Sequence, residues 1–287
     1  MIKIPEDKVI ITVALTGAMA DMRKINPNLP EQPEQQAAQA YDCYNEGATI
    51  VHLHARDKEG NPTGSKDVFR SIHEQIRKKC NIIIQDSTGG GMGVSIEQRT
   101  ECLEAQPEMA SLNMGSLVRT WGKQKGTAWV NTRDDIEAFV TRMNQFGIKP
   151  EMEVYGLAMF REVYNLVEKG LVQKPYYIDL ILGMAYQGAH EADPRYFSTY
   201  LQYLPPDSIF NSLGVGTAQA AVATLGMING GCCRVGMEDN LYYKKGELVK
   251  NNAQLVARIV RIARELGKEP ATPDEGRQIL GLKPLKK

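Results

Sequence analysis

The segment Ile50-Val51-His52-Leu53-His54-Ala55-Arg56-Asp57 puts two imidazoles two residues apart at the end of a β-branched run. Side chains two apart on a strand share a face. His52 and His54 therefore point together, with Val51 and Leu53 on the opposite side. Paired imidazoles suit a divalent metal, zinc above all. They also suit two hydrogen-bonded core histidines, since H-x-H is short and common. The chain has four histidines, and two fall here. A third donor is available in Cys232-Cys233-Arg234-Val235-Gly236-Met237-Glu238-Asp239, where alternation places Glu238 on one face with Cys232, Arg234 and Gly236. Glu238 would complete a His₂Glu set with positions left open for water or substrate. The competing expectation is that Glu238-Asp239 simply begins a solvated loop.

An Arg234 on that inner face would be a buried cation and would need a partner. Glu151 and Glu153 share a face in Glu151-Met152-Glu153-Val154-Tyr155. A network of Arg234, Glu153 and Asp239 could handle protons, tuned by burial, or could only brace the fold. Two glycine-rich turns stand out as well. Gln85-Asp86-Ser87-Thr88-Gly89-Gly90-Gly91-Met92-Gly93 offers free backbone N–H groups and the Ser87 hydroxyl, an arrangement suited to an anion. Gly214-Val215-Gly216-Thr217 opens a helix where a nucleotide-like cofactor could rest. Neither turn matches the dinucleotide fingerprint or the P-loop, and each also reads as a tight turn. Cys232 and Cys233 read as small packed residues rather than a redox pair.

The elements that must position these groups alternate along the chain. Short apolar runs predict strands over 9–15, 49–54, 81–86, 108–113, 149–155, 176–182, 207–213 and 231–237. Amphipathic segments predict helices over 33–45, 66–79, from about Ser95, 134–146, 160–169, 194–203, 217–228 and 252–266. Eight β-then-α units in 287 residues predict a (β/α)8 TIM barrel, with an open doubly wound sheet as the alternative. No linker breaks the series. Residues 1–287 are expected to form a single domain, with a short C-terminal extension from about 268 and a short helix from Pro273. Such barrels carry their chemistry at the carboxyl ends of the strands, where the polar residues above fall.

Composition limits the partners. Lys+Arg and Asp+Glu both number 34, so net charge is zero and no long basic block occurs. Nucleic-acid and membrane-surface binding lose their usual electrostatic basis. The five cysteines are scattered with no C-x-x-C pair, as expected of a reducing cytoplasm. No basic n-region followed by an apolar stretch opens the chain, and no run is long enough to span a membrane.

Several further motifs, in order, show what the chain resembles. Leu15-Thr16-Gly17-Ala18, Asn26-Pro27-Asn28-Leu29-Pro30, Val51-His52-Leu53-His54-Ala55-Arg56, Gln85-Asp86-Ser87-Thr88-Gly89-Gly90, Leu112-Asn113-Met114-Gly115, Glu151-Met152-Glu153-Val154-Tyr155 and Arg234-Val235-Gly236-Met237-Glu238-Asp239-Asn240 resemble the β-keto acid cleavage enzyme family nearly end to end. The resemblance implies a zinc-dependent acyltransferase that condenses a β-keto acid with acetyl-CoA and yields acetoacetate and a new acyl-CoA. His52, His54 and Glu238 would hold the metal, and Asp239, Arg234 and Glu153 would move the proton. Ser87, with Thr88 and Gly89 of its loop, Ser111 and Asn113 would hold substrate oxygens, and Gly214 and Gly216 would meet the CoA. A homo-oligomer, specifically a homotetramer, is also implied.

Two departures from the family pattern matter. Members that take an ammonium-bearing substrate carry an acidic residue just after T-G-A, where this chain has Met19. An uncharged side chain there predicts a neutral or apolar acyl tail, with Met92 and Met114 near it. The strand-seven turn also lacks the basic residue many relatives carry after the second glycine, having Thr217-Ala218 instead. The rival enzyme class is a metal-dependent hydrolase on a TIM barrel, which would need further histidines, and only His73 and His190 remain. A metal-bound structural domain would explain the histidines but not the Arg234–Asp239 group beside them.

Overall fold

Seven parallel pairings and a closing eighth join the strands Ile11–Ala14 (β1), Ile50–Leu53 (β2), Ile83–Asp86 (β3), Met109–Asn113 (β4), Lys149–Val154 (β5), Tyr176–Leu182 (β6), Ser208–Gly214 (β7) and Cys233–Val235 (β8) into a closed barrel. The computed structural model describes residues 4–90 and 94–285. The helices Pro33–Glu46 (α1), Lys66–Arg77 (α2), Ile96–Thr100 (α3), Arg133–Phe146 (α4), Phe160–Glu168 (α5), Pro194–Tyr203 (α6), Gln219–Ile228 (α7) and Asn252–Glu265 (α8) follow the strands in turn. The order is that of a (β/α)8 TIM barrel, and the open sheet is excluded by closure of β8 onto β1. Among the described residues, no helix is long and apolar enough to cross a membrane.

Local sequence explains the element ends. Thr132 accepts a hydrogen bond from Asp135 N while the Asp135 carboxylate takes the Thr132 N–H, and Gly147 closes α4 in the left-handed region at φ 67°. The expected strand over 231–237 is shorter because Gly236 turns away at φ 151°. A Cβ on Gly236 would sit 1.9 Å from the Ala14 carbonyl oxygen, so only glycine fits this crossing. The helix expected from Ser95 is α3 followed by a 3₁₀ turn, Glu101–Ala105.

Alternation stacks the barrel interior in sets of four drawn from alternate strands. Ile50, Met109, Tyr177 and Cys232 form an apolar floor, joined by Ala271 and Leu280 from the tail. Above them Thr12, Gln85, Glu151 and Asn211 are fully buried polar groups, and His52, Ser111, Asp179 and Arg234 come next. Val51, Leu53, Cys233 and Val235 face outward into the helix layer, as the strand period demands.

The tail closes the floor. Thr49 Oγ1 donates to the Ala271 carbonyl at 2.6 Å, and helix Pro273–Leu280 (α9) brings the buried Arg277 onto Glu108 at 2.6 Å. Arg77 holds the same carboxylate at 2.6 Å. Glu108→Ala would leave two guanidiniums sharing no anion, a loss of about 3 kcal/mol. Urea denaturation should show that drop; a change below about 1 kcal/mol would remove Glu108 from the account of the floor.

Candidate active site

The site is built where β2 and β8 end. His52 lies on β2, but His54 lies one residue beyond it, before Ala55 and Arg56 turn into a short antiparallel pairing with Pro62–Thr63. The two rings still face one another, with centroids 5.2 Å apart. Glu238 is not on a strand at all. It sits in a tight turn in which Asp239 and Asn240 both donate backbone N–H to the Gly236 carbonyl. Strict alternation would have sent Asp239 away from Glu238; the turn delivers both carboxylates to the same guanidinium.

His52 Nε2 is 3.7 Å and His54 Nε2 3.4 Å from the Glu238 carboxylate, and one donor atom from each lies within 4.8 Å of the others. Donors about 2.0–2.2 Å from a shared zinc ion have separations of this size. Glu238 Oε2 is buried with no hydrogen-bond partner, so it has a free lone pair. His52 Nδ1 meets Gln85 Oε1 at 2.7 Å, which fixes the ring and leaves Nε2 as the free donor. Burial, with the nearby Arg234 charge, pushes His52 down to about 3, so its ring is neutral and Nε2 could serve a metal. The residues fit a divalent cation. Gly17 completes the cradle: a Cβ there would stand 2.9 Å from Glu238 Cγ.

Arg234 is a buried cation inside the barrel, 2% exposed. It donates from Nη2 to Glu238 at 2.8 Å, and from Nε and Nη2 to the two Asp239 oxygens at 3.1 Å each. Glu153 stands 3.9 Å from Nη1 and accepts the Tyr155 hydroxyl at 3.2 Å. Burial raises Glu238, but Arg234 and the two imidazoles outweigh it and hold the carboxyl well below the usual range. Burial wins at the other acids despite Arg234. Asp239 is raised to about 6, Glu151 to about 7 and Glu153 to about 8.

These groups open into a cavity of about 1010 Å³. Ser87, Gly89, Met19 and Gly216 line it. Four other expected contacts lie outside that lining. Thr88 and Ser111 bind one another, Thr88 Oγ1 donating to the Ser111 carbonyl at 2.7 Å and Thr88 N to Ser111 Oγ at 3.3 Å. Asn113 turns its Oδ1 to Gly115 N at 3.1 Å, and its buried Nδ2 has no partner. Gly214 packs against its own turn, since a Cβ would meet the Ala218 carbonyl oxygen at 2.6 Å. Met114 is also misplaced by the sequence reading: it is fully buried in the helix-side core. Met92 lies outside the described residues.

Sequence reasoning missed Asp179, whose two oxygens have no partner and whose carboxyl is raised well above its usual range by burial, then by Glu151. A lone acid within Tyr176-Tyr177-Ile178-Asp179-Leu180-Ile181-Leu182 was the available signal. Arg56 was missed too. It is 1% exposed and donates from Nη2 to the carbonyls of Gly17 and Met19 at 2.7 Å each, tying the first loop to the site. The remaining histidines are elsewhere: His73 pairs with Asp86 at 2.8 Å, and His190 stacks on Tyr196.

A carboxyl held above its unfolded value keeps its proton longer in the fold. Glu153 therefore confers full stability below about 4.5, and that stability is lost as pH rises through about 8. Metal-free protein should lose stability across that window, and Glu153→Gln should lose less of it. Denaturant midpoints at a series of pH values decide this; identical slopes for both proteins would refute a proton on Glu153.

Comparison with known proteins identifies the family. The family model described as beta-keto acid cleavage enzyme matches residues 8–282. The chain is 41% identical to a 3-keto-5-aminohexanoate cleavage enzyme of Fusobacterium nucleatum, over 96% of this chain and 99% of that one. It is 32% identical to a 3,5-dioxohexanoate:acetyl-CoA acetone transferase of Paraburkholderia graminis, over 96% of each. The apo structure of ObcA superposes with a TM-score of 0.75 at 20% identity, over 89% of this chain and 66% of that one, a likeness of fold. On these matches and the architecture above, the chain belongs to the beta-keto acid cleavage enzyme family.

Proposed function

We propose that this chain is a zinc-dependent β-keto acid:acetyl-CoA acyltransferase whose substrate has a neutral or apolar acyl tail. The observation that carries the reading is the juxtaposition of a His52–His54–Glu238 donor set with a carboxylate, Asp239, held two-pronged by Arg234. The acetyl-CoA-dependent relative supports the co-substrate. Zinc held by His52, His54 and Glu238 would supply Lewis-acid polarisation of a carbonyl oxygen.

The chain's own groups account for the rest. Asp239 takes the proton from the carbon between the two carbonyls, its carboxylate oriented by Arg234. The enolate carbon attacks the acetyl thioester, forming a C–C bond and expelling CoA thiolate. The thiolate then attacks the original ketone carbon. Cleavage of the old C–C bond leaves the acyl group on CoA and releases acetoacetate, whose carbon regains the proton from Asp239. Ser87 lines the cavity and can orient a substrate oxygen.

The tail reading rests on the wall around that chemistry. Met19, Ile181, Met184, Leu213 and Val215 line it. Among the described residues its only acids are Glu153, Glu238 and Asp239, all tied to Arg234. No carboxylate is left over for a substrate ammonium.

Zinc-loaded protein with acetyl-CoA and a panel of β-keto acids should produce acetoacetate; cleavage without CoA would overturn the transferase reading. His52→Ala should lose bound zinc and turnover together while the fold persists. Asp239→Asn should keep its zinc and lose about 10²–10⁴ in kcat, and a loss under tenfold would remove Asp239 from proton transfer. Met19→Glu should raise the preference for an amino-bearing over an alkyl β-keto acid about tenfold. Wild-type preference for the amino-bearing acid would sink the tail assignment.

A further inference from the structure

We propose that the cavity mouth carries a binding site for the phosphate-rich nucleotide end of the thioester co-substrate, formed by Arg119, Lys123 and the face of Trp121. The proposal rests on the acyl-CoA reading above. It starts from where charge lies in the cavity. The acids Glu153, Glu238 and Asp239 surround Arg234 at the bottom, and Arg234 is committed to them. The other lining cations are Arg119 and Lys123. Both belong to the insertion after β4, whose strands Leu117–Arg119 and Ala128–Trp129 pair antiparallel. A third strand, Tyr186–Gln187 from the loop after β6, joins them, and Thr120 Oγ1 donates to the Ala185 carbonyl at 2.6 Å. The cations are therefore carried on a flap fastened to the loop after β6.

Neither cation has a carboxylate within ion-pair distance among the described residues. Arg119 donates to the neutral Gln124 side chain at 2.5 Å, and its guanidinium carbon lies 3.9 Å from the Trp121 ring centroid. Asp21 is close enough to feel the Lys123 charge but is already paired with Lys24 at 2.8 Å. Trp121 is 38% exposed, a large apolar ring at the lip of a polar cavity. Unpaired cations beside an exposed aromatic ring are what a purine nucleotide with phosphates requires.

The glycine turn after β7 offers less. The Gly216 N–H already donates to the Asp239 carbonyl at 2.8 Å, and Thr217-Ala218 brings no charge. An acyl-CoA has a polyanionic end and a long uncharged arm ending in the thioester. The bottom has no cation free for phosphates, since Arg234 is committed to its carboxylates, whereas the mouth has two. That placement of free cations fixes which end stays outside.

The test compares the wild type with Arg119→Gln/Lys123→Gln. For the double variant, the ratio of kcat/KM with acetyl-CoA to kcat/KM with acetyl-pantetheine, which lacks the nucleotide, should fall about tenfold. Calorimetry should show CoA binding weakened by a similar factor, and wild-type affinity falling as salt is raised. Arg119→Lys/Lys123→Arg should recover most of the ratio, separating charge from damage to the flap. An unchanged ratio, or CoA affinity equal in wild type and double variant, overturns the site. If the wild type turns over neither thioester, the acyltransferase reading fails, and CoA binding still decides the flap: affinity lost in the double variant supports it, and none in the wild type overturns it.

Discussion

One buried guanidinium holds the interior of this barrel together electrically. Arg234 lies among Glu153, Glu238 and Asp239, with Glu151 and Asp179 close by and also buried. That is more carboxylate than one cation can neutralise, so the acids divide. Glu238 is held ionised by Arg234 and the imidazoles, against its own burial. At Glu151, Glu153 and Asp179 the balance tips toward the protonated form, because desolvation disfavours their charged forms more than Arg234 favours them. The result is one carboxylate held ionised beside neighbours whose pKa values are raised, all within one barrel.

Backbone constraints make that arrangement possible. Gly236 lets β8 pass against the Ala14 carbonyl and turn at once, which brings Glu238 and Asp239 back over Arg234. Gly17 then leaves room for the Glu238 side chain, while Arg56 fastens the carbonyls on either side of that loop. The apolar floor and the tail beneath it exclude water from the lower barrel, so the charges above meet a low-dielectric boundary. Fold and electrostatics are coupled here through a few close backbone contacts.

Much of this was legible in the chain itself. The eight β-then-α units, the inward pair His52 and His54, and the opposition of Arg234 to Glu153 follow from periods of two and 3.6 residues. What the periods do not give is the partner each side chain takes. Thr88 and Ser111 satisfy one another, Gly214 serves its own turn, and Met114 packs behind the sheet. Each has the right residue type at nearly the right place, but its partner is chosen by neighbours far away in sequence. Asp179 went unnoticed for the converse reason, a single acid inside an apolar strand with no local pattern around it.

The sequence by itself determined the alternation of elements and the face on which each strand residue lies, because periodicity is a local property of the backbone. Only the tertiary structure decided that Asp239 joins Glu238 on Arg234, that burial raises Glu153, and that Arg119 and Lys123 stand at the cavity mouth with no carboxylate partner among the described residues. Those outcomes depend on distances and desolvation between strands and loops remote in the chain. Burial and Coulomb interaction are set by three-dimensional proximity, and no spacing along one segment encodes them.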